Sequence, residues 1–389
     1  MRTTPSPQSV WSRRHQWARR SAPVAITLVV ALFVGCAKDP DEGTPQPMPA
    51  PQLPATLASY ALPTLPAHFN SAALQAFEST PSDNPITDAG ATLGRVLFYD
   101  KNLSATRAVS CGSCHHQDHG FADTRKKSKG HTGLSTRRNA SHIVNQFYTR
   151  RQFWDLRANT LEDQVLMPLQ DTVEMGMTLA QVNMRVEGLP YYPLLFEEAF
   201  GDSTITSDRI ARAVAQFVRS IVSYRTRFDE GEANGFVDYT PMELAGKALF
   251  FSQETRCNQC HMTANFFTPG SLNNALDVDY ADNGVGERTG DPADNGKFKV
   301  PSLRNVEVTG PYMHDGRFLT LEEVVEHYNS GLKPHAYIDD RLTTDMTIGG
   351  TPYQLGLTTY EKQALVAFLK TLTDLPLMAD PRFSDPFMP

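Results

Sequence analysis

The pentapeptide Cys111-Gly112-Ser113-Cys114-His115 recurs as Cys257-Asn258-Gln259-Cys260-His261. Cys-x-x-Cys-His is the attachment signature of haem c. Its two thiols can form thioethers with the vinyl groups, and its histidine is placed to ligate the iron from one side. Half of a zinc site or a thioredoxin-like redox pair would also use Cys-x-x-Cys. Two copies, each with the histidine, in a chain of five cysteines point instead to two covalently bound haems. Four cysteines are consumed in this way, so none remain to pair as a structural disulfide.

The fifth cysteine, Cys36, belongs to a different pattern. Arg2, Arg13, Arg14, Arg19 and Arg20 precede an apolar run from Ala22 to Val34, with no acid among them. A basic start, a short apolar stretch and a small residue before the cut describe an export signal over residues 1–35. The run is too short for a transmembrane helix. Phe33-Val34-Gly35-Cys36 resembles a bacterial lipobox, which would make Cys36 the lipidated first residue of a periplasm-facing lipoprotein, anchored to the outer membrane. A plain signal peptide cut nearby is the alternative. Removing five arginines moves the formal charge from -7 to -12. That argues against nucleic acid as a partner and fits a basic electron donor.

Residues 36–75 are rich in proline and read as a semi-rigid tether. The remainder divides into an N-terminal haem region at 76–235 and a C-terminal one at 236–389. The halves echo one another. Leu93-Gly94-Arg95-Val96-Leu97-Phe98-Tyr99 precedes the first haem motif, and Ala245-Gly246-Lys247-Ala248-Leu249-Phe250-Phe251 precedes the second. Capping boxes begin at Thr240, Thr320 and Thr358. From Ser207, the residues Ile210, Ala213, Val214, Phe217, Val218, Ile221 and Tyr224 form a stripe of helical period. Strand-like alternation is scarce. The expected fold is mainly α: two cytochrome-c-like haem domains in tandem, with long loops.

Beyond the haem motifs, the chain carries Leu97-Phe98-Tyr99-Asp100, Arg138-Asn139, Gln152-Phe153-Trp154-Asp155, Val173-Glu174-Met175, Val300-Pro301-Ser302-Leu303-Arg304-Asn305 and Pro311-Tyr312-Met313-His314-Asp315-Gly316. In this order they resemble the bacterial dihaem cytochrome c peroxidase and MauG family, from about residue 83 to 385. The resemblance implies a peroxide-reducing enzyme with two haem c groups and a calcium ion, often a homodimer. The haem on His115 would be the peroxidatic one, and the haem on His261 the electron-transfer one. Glu174 matches the distal acid–base residue, which must take a proton from one peroxide oxygen and return it to the other. Gln164 matches a distal amide, and Pro168 a residue packed over the iron. Trp154, the one tryptophan left after the leader, matches the indole between the haems. Asn139, Thr309 and Pro311 match the calcium ligands, an oxygen set that suits Ca²⁺.

Two positions separate the subfamilies. On the helix from Thr320, Leu321, Val324, Val325 and Tyr328 form the apolar stripe. Tyr328 stands where the conventional peroxidases carry an axial methionine and MauG-like proteins carry tyrosine. Its neighbour His327 falls about 100° off the stripe, and Met313 is a rival in a loop. His131, seven residues before Arg138, matches the histidine that caps the resting N-terminal haem in conventional peroxidases. His116, His119 and His142 read as solvent-facing or structural. The leading expectation is a dihaem c peroxidase fed by a small cytochrome c or cupredoxin. The alternatives are a MauG-like enzyme that oxidises residues of a partner protein, and a non-catalytic electron carrier.

Overall fold

A computed structural model describes residues 50–388. The export segment, Cys36 and the first part of the tether lie outside the described residues. What is described is mainly helical, as expected. Its one sheet is a two-stranded antiparallel ribbon, Ser271–Asn273 against Lys297–Lys299, with Ser271 opposite Lys299.

The internal echo becomes a repeated packing geometry. The helix Asp88–Tyr99 is capped by Thr87 and packs on Ser207–Ser220. The helix Pro241–Phe250 packs in the same way on Thr359–Lys370. Each contact passes through a glycine. A Cβ on Gly94 would overlap the Ala213 carbonyl and press on Phe217; one on Gly246 would overlap the Ala364 carbonyl and press on Phe368. The missing side chain lets two helix backbones touch. An aromatic pair closes each crossing, Phe98 with Phe217 at 5.3 Å between ring centres and Phe250 with Phe368 at 5.1 Å.

All three expected capping boxes form, with Glu243, Glu323 and Glu361 as the reciprocal partners. The helix from Ser207 buries its stripe but ends at Ser220, with Ile221 as its C-cap. Tyr224 lies beyond it, because Asp374 captures the backbone N–H groups of Tyr224 and Arg225 at 2.9 and 3.0 Å.

Three buried clusters result. The first gathers Leu93, Val96, Leu97, Val214 and Phe217 with Val182 and Tyr192. The second gathers Phe250, Phe266, Leu321, Val325 and Phe368. The third, with Phe69, Tyr148, Val222 and Phe267, draws on both halves of the sequence. The halves also exchange segments. Leu377, Phe383 and Phe387 pack in the first cluster, and Tyr99 and Arg95 donate hydrogen bonds to the carbonyls of Phe383 and Ser384 at 2.7 Å each. Phe228 and Asp229, from the other side of the expected boundary, join the second cluster and its ion pair with Arg304.

Candidate active site and haem centres

Each Cys-x-x-Cys-His segment opens with a short helical turn, Cys111–Ser113 or Cys257–Cys260; Cys114 and His115 follow the first and His261 the second. Gly112 lies flush against the Tyr99 ring, where a Cβ would collide. All four thiols are unpaired. Burial raises Cys111 to about 12 and Cys114 and Cys260 to about 11, with Cys257 also raised. The histidines are held alike. His115 Nδ1 donates to the Phe121 carbonyl at 2.9 Å, and His261 Nδ1 to the Phe266 carbonyl at 3.2 Å. Both phenylalanines sit in the left-handed region, φ 61° and 50°, which turns their carbonyls to the ring nitrogen. This fixes the tautomer and leaves Nε2 as the free ligand atom, the arrangement expected of a metal-binding histidine. Burial keeps both imidazoles neutral, lowering His261 to about 4 and His115 in the same direction. The residues therefore fit two haem c groups.

At the first centre, the helix Leu161–Gln170 carries Gln164 and Pro168 one turn apart. Pro168 has no N–H to give the Gln164 carbonyl. The loop after it folds back on the helix: Met175 N donates to Pro168 O at 3.2 Å and Met177 N to Leu169 O at 2.9 Å. Asp171 Oδ1 accepts from the backbone N–H groups of Val173 and Glu174 at 2.8 and 3.0 Å. Glu174 is thus held with its carboxyl close enough to raise the pKa of both Cys111 and Cys114. Burial first, then the charge of Asp171, pushes Glu174 up to about 7, against a smaller opposing effect of Arg157. A carboxyl poised there can both accept and return a proton at neutral pH.

His131 lies against this loop. Its backbone N–H donates to Glu174 O at 2.9 Å, and its Nε2 donates to Thr172 O at 3.1 Å. Gly176, at φ 69°, has no side chain because the His131 ring fills that space. In this arrangement Nε2 is engaged by the loop, while Nδ1 is buried without a partner.

The second centre surrounds a cavity of about 230 Å³, lined by Cys257, Cys260, His261, Asn274, Met313 and Tyr328 among others. The helix Leu321–Glu326 continues into a π-helical turn at His327–Gly331. Such turns recur at functional sites. Tyr328, Val324 and Val325 face the cavity. Burial raises the phenol to about 12, against the hydrogen bond from Asn274. Asn274 Nδ2 lies 3.4 Å from both Tyr328 Oη and Met313 Sδ, so it orients both candidate axial groups. His327 is occupied elsewhere, donating from Nε2 to the Asn274 carbonyl at 3.0 Å. Arg304 braces the proximal side. It is fully buried, pairs through two hydrogen bonds with Asp229 at 2.8 and 2.9 Å, and donates to the carbonyl of Ala264, two residues before Phe266.

Trp154 stands at the junction. Its indole N–H donates to the Asn139 carbonyl at 2.9 Å, and its ring lines the second haem cavity. Asn139, Thr309 and Pro311 line this same cavity, so the three expected calcium ligands are brought to one side of the molecule. His142 is buried and donates from Nε2 to Ser302 O at 2.9 Å; His116 and His119 are half-buried and face each other. Asn274, Arg304 and Lys299 are the residues that sequence patterns did not single out. Asn274 has no motif, whereas Arg304 and Lys299 fall in or beside the Val-Pro-Ser-Leu-Arg-Asn segment.

Comparison with known proteins agrees with this geometry. The family described as di-haem cytochrome c peroxidase matches residues 88–235. The methylamine utilization protein MauG of Methylophilus methylotrophus is 32% identical over 297 residues, 75% of this chain and 84% of its own. The cytochrome c551 peroxidase of Nitrosomonas europaea is 33% identical over 312 residues, 77% and 83% of the two chains. The crystal structure of a MauG-like protein associated with microbial copper homeostasis superposes with a TM-score of 0.71 at 34% identity, covering 86% of this chain and 99% of that one. With two haem c sites and relatives spread over both branches, the chain belongs to the dihaem cytochrome c peroxidase and MauG family and is an oxidoreductase that uses peroxide.

Proposed function

We propose that this chain is a MauG-like enzyme, which reduces peroxide with electrons taken from side chains of a partner protein. The observation that carries the reading is Tyr328, whose phenol shares the second haem cavity with His261 and is oriented by Asn274. A haem held at Cys111, Cys114 and His115 would supply the two-electron reduction of peroxide, and Tyr328, if it held the haem at His261 as a phenolate, would favour oxidised iron. The chain's own residues do the rest. Glu174 would take a proton from one peroxide oxygen and return it to the other, so that two protons and two electrons convert peroxide to two waters. Gln164 donates to the bound oxidant, and Trp154 bridges the two centres.

The conventional alternative takes the electrons from a small cytochrome c or cupredoxin. Its support is the spacing of His131 and the presence of Met313 beside Tyr328. A non-catalytic carrier has no use for a protonatable carboxyl at the first thiols. The same proposal includes calcium at Asn139, Thr309 and Pro311, a lipid anchor at Cys36 facing the periplasm, and a homodimer.

Incubating the holoprotein with peroxide and the secreted proteins of its own cell tests the central claim. A stoichiometric mass change in one of them, abolished by Glu174→Gln, is expected. Rapid peroxide turnover with reduced cytochrome c, and no modified protein, would replace this reading with the conventional one.

A further inference from the structure

A second, water-sized cavity of about 10 Å³ is walled in part by residues that also line the haem cavity. Trp154, His142 and Lys299 line both. Lys299 ends the strand Lys297–Lys299, and its backbone N–H donates to the Trp154 carbonyl at 2.7 Å. Its neighbour Lys297 has an acid, Asp294, at 3.0 Å. Lys299 has none: burial alone acts on its ammonium, pulling it down to about 8, with no carboxylate opposing. The other cations of the haem cavity are satisfied. Arg341 pairs with Asp339 at 2.6 Å, and Arg256 donates to the carbonyls of Arg341 and Thr343 at 3.1 and 2.9 Å.

Lys299 is half-buried, and an ammonium turned into a cavity wall without an anion is costly; here the wall offers no free one. The small cavity holds two unpartnered acceptors, His142 Nδ1 and Gln146 Oε1. A water could carry hydrogen bonds from Lys299 to them. Neutral acceptors do not balance a charge, however. Haem c brings two carboxylates into the cavity that Lys299 lines.

We infer that Lys299 is the counter-charge of the second haem, pairing through its ammonium with a carboxylate of the group held at Cys257, Cys260 and His261, beside Trp154. Lys299 is then a positioning residue with an electrostatic effect. Ferric haem carries one more positive charge than ferrous haem, so a nearby ammonium disfavours the ferric form and raises the reduction potential. That opposes the phenolate of Tyr328, which lowers it. The inference depends on haem attachment at the second site and is independent of the source of electrons.

The test is a potentiometric titration of the holoprotein and of Lys299→Met and Lys299→Arg, each haem followed by its own electron paramagnetic resonance signal. Haem content is checked in each as the pyridine haemochrome. With both haems attached, Lys299→Met is expected to lower the potential of the second haem, and Lys299→Arg to restore it. Unchanged potentials, or a shift confined to the haem on His115, would overturn the assignment. If Lys299→Met does not retain haem, resonance Raman spectra of wild type and Lys299→Arg decide. Haem-carboxylate bending bands shared by these two proteins but shifted in Lys299→Gln are expected, and identical bands in all three reject the pairing.

Discussion

Replacing Glu174 with Gln should make the protein a poorer catalyst and a more stable fold at the same time. The carboxyl titrates near 7 instead of 4.5 because the fold buries it and sets Asp171 beside it. A raised carboxyl pKa means that the folded state holds the proton more tightly than the unfolded chain does. The fold is therefore unpenalised below pH 4.5, progressively penalised as pH rises, and fully penalised above pH 7. At 1.36 kcal/mol per unit the penalty approaches about 3 kcal/mol at pH 8, and somewhat less for solvent screening of this half-buried group. The neutral amide escapes it. Melting of the holoprotein at pH 8 should accordingly rise by roughly 3–4 °C in the variant, with little difference at pH 4.5. Peroxide turnover should fall by about 10²–10⁴. In wild type, kcat/KM for peroxide should drop tenfold per unit below pH 7 and level off above it. Equal melting temperatures at pH 8 would mean that Glu174 is not held in the strained state described, and an unchanged turnover would remove it from the chemistry.

Tyr328→Met should raise the potential of the second haem and introduce the near-infrared sulfur-to-iron band of a His–Met centre. If wild type already shows that band, Met313 is the ligand. His131→Gly should leave the resting spectrum of the first haem unchanged, because its Nε2 bonds to Thr172 O; a low-spin to high-spin conversion would reveal a capping histidine after all. Gly94→Ala and Gly246→Ala should each cost about 1–3 kcal/mol by forcing the paired helices apart. Gly188→Ala, where the nearest atom is 3.4 Å away, is the control and should melt like wild type.

The haem motifs, the capping boxes and the duplicated helix were legible because each is written in a few adjacent residues. Thr240 and Glu243 specify a helix start wherever they stand. What escaped was set by contacts between distant segments. The stripe from Ser207 promised a helix through Tyr224, but Asp374, 150 residues away, stops it. The α-period placed Tyr328 on the stripe with Val324 and Val325, and it does face the cavity, though by way of a π turn that no local signal announces. Asn274 could not be found at all, since its significance lies in reaching Met313 and Tyr328 at once. Lys299 was readable only as an ordinary charged residue until its surroundings showed no acid.

The segment from Leu377 to Phe387 does more than complete a core. Besides binding Tyr99 and Arg95, it supplies the carbonyls of Leu377 and Asp380 to Gln117 at 3.1 and 2.8 Å, two residues after His115. The walls of the first haem site are thus finished by residues synthesised some 260 positions later. Until that segment has arrived, Cys111 and Cys114 stand in an unclosed pocket, open to the machinery that must reach two thiols and a porphyrin together. The expected order of maturation is prosthetic group first, closure second. Cells producing a chain truncated after Asp374 should accumulate protein with haem attached at Cys257 and Cys260 and an unstable, protease-sensitive first half, which limited proteolysis with haem staining of the fragments would show.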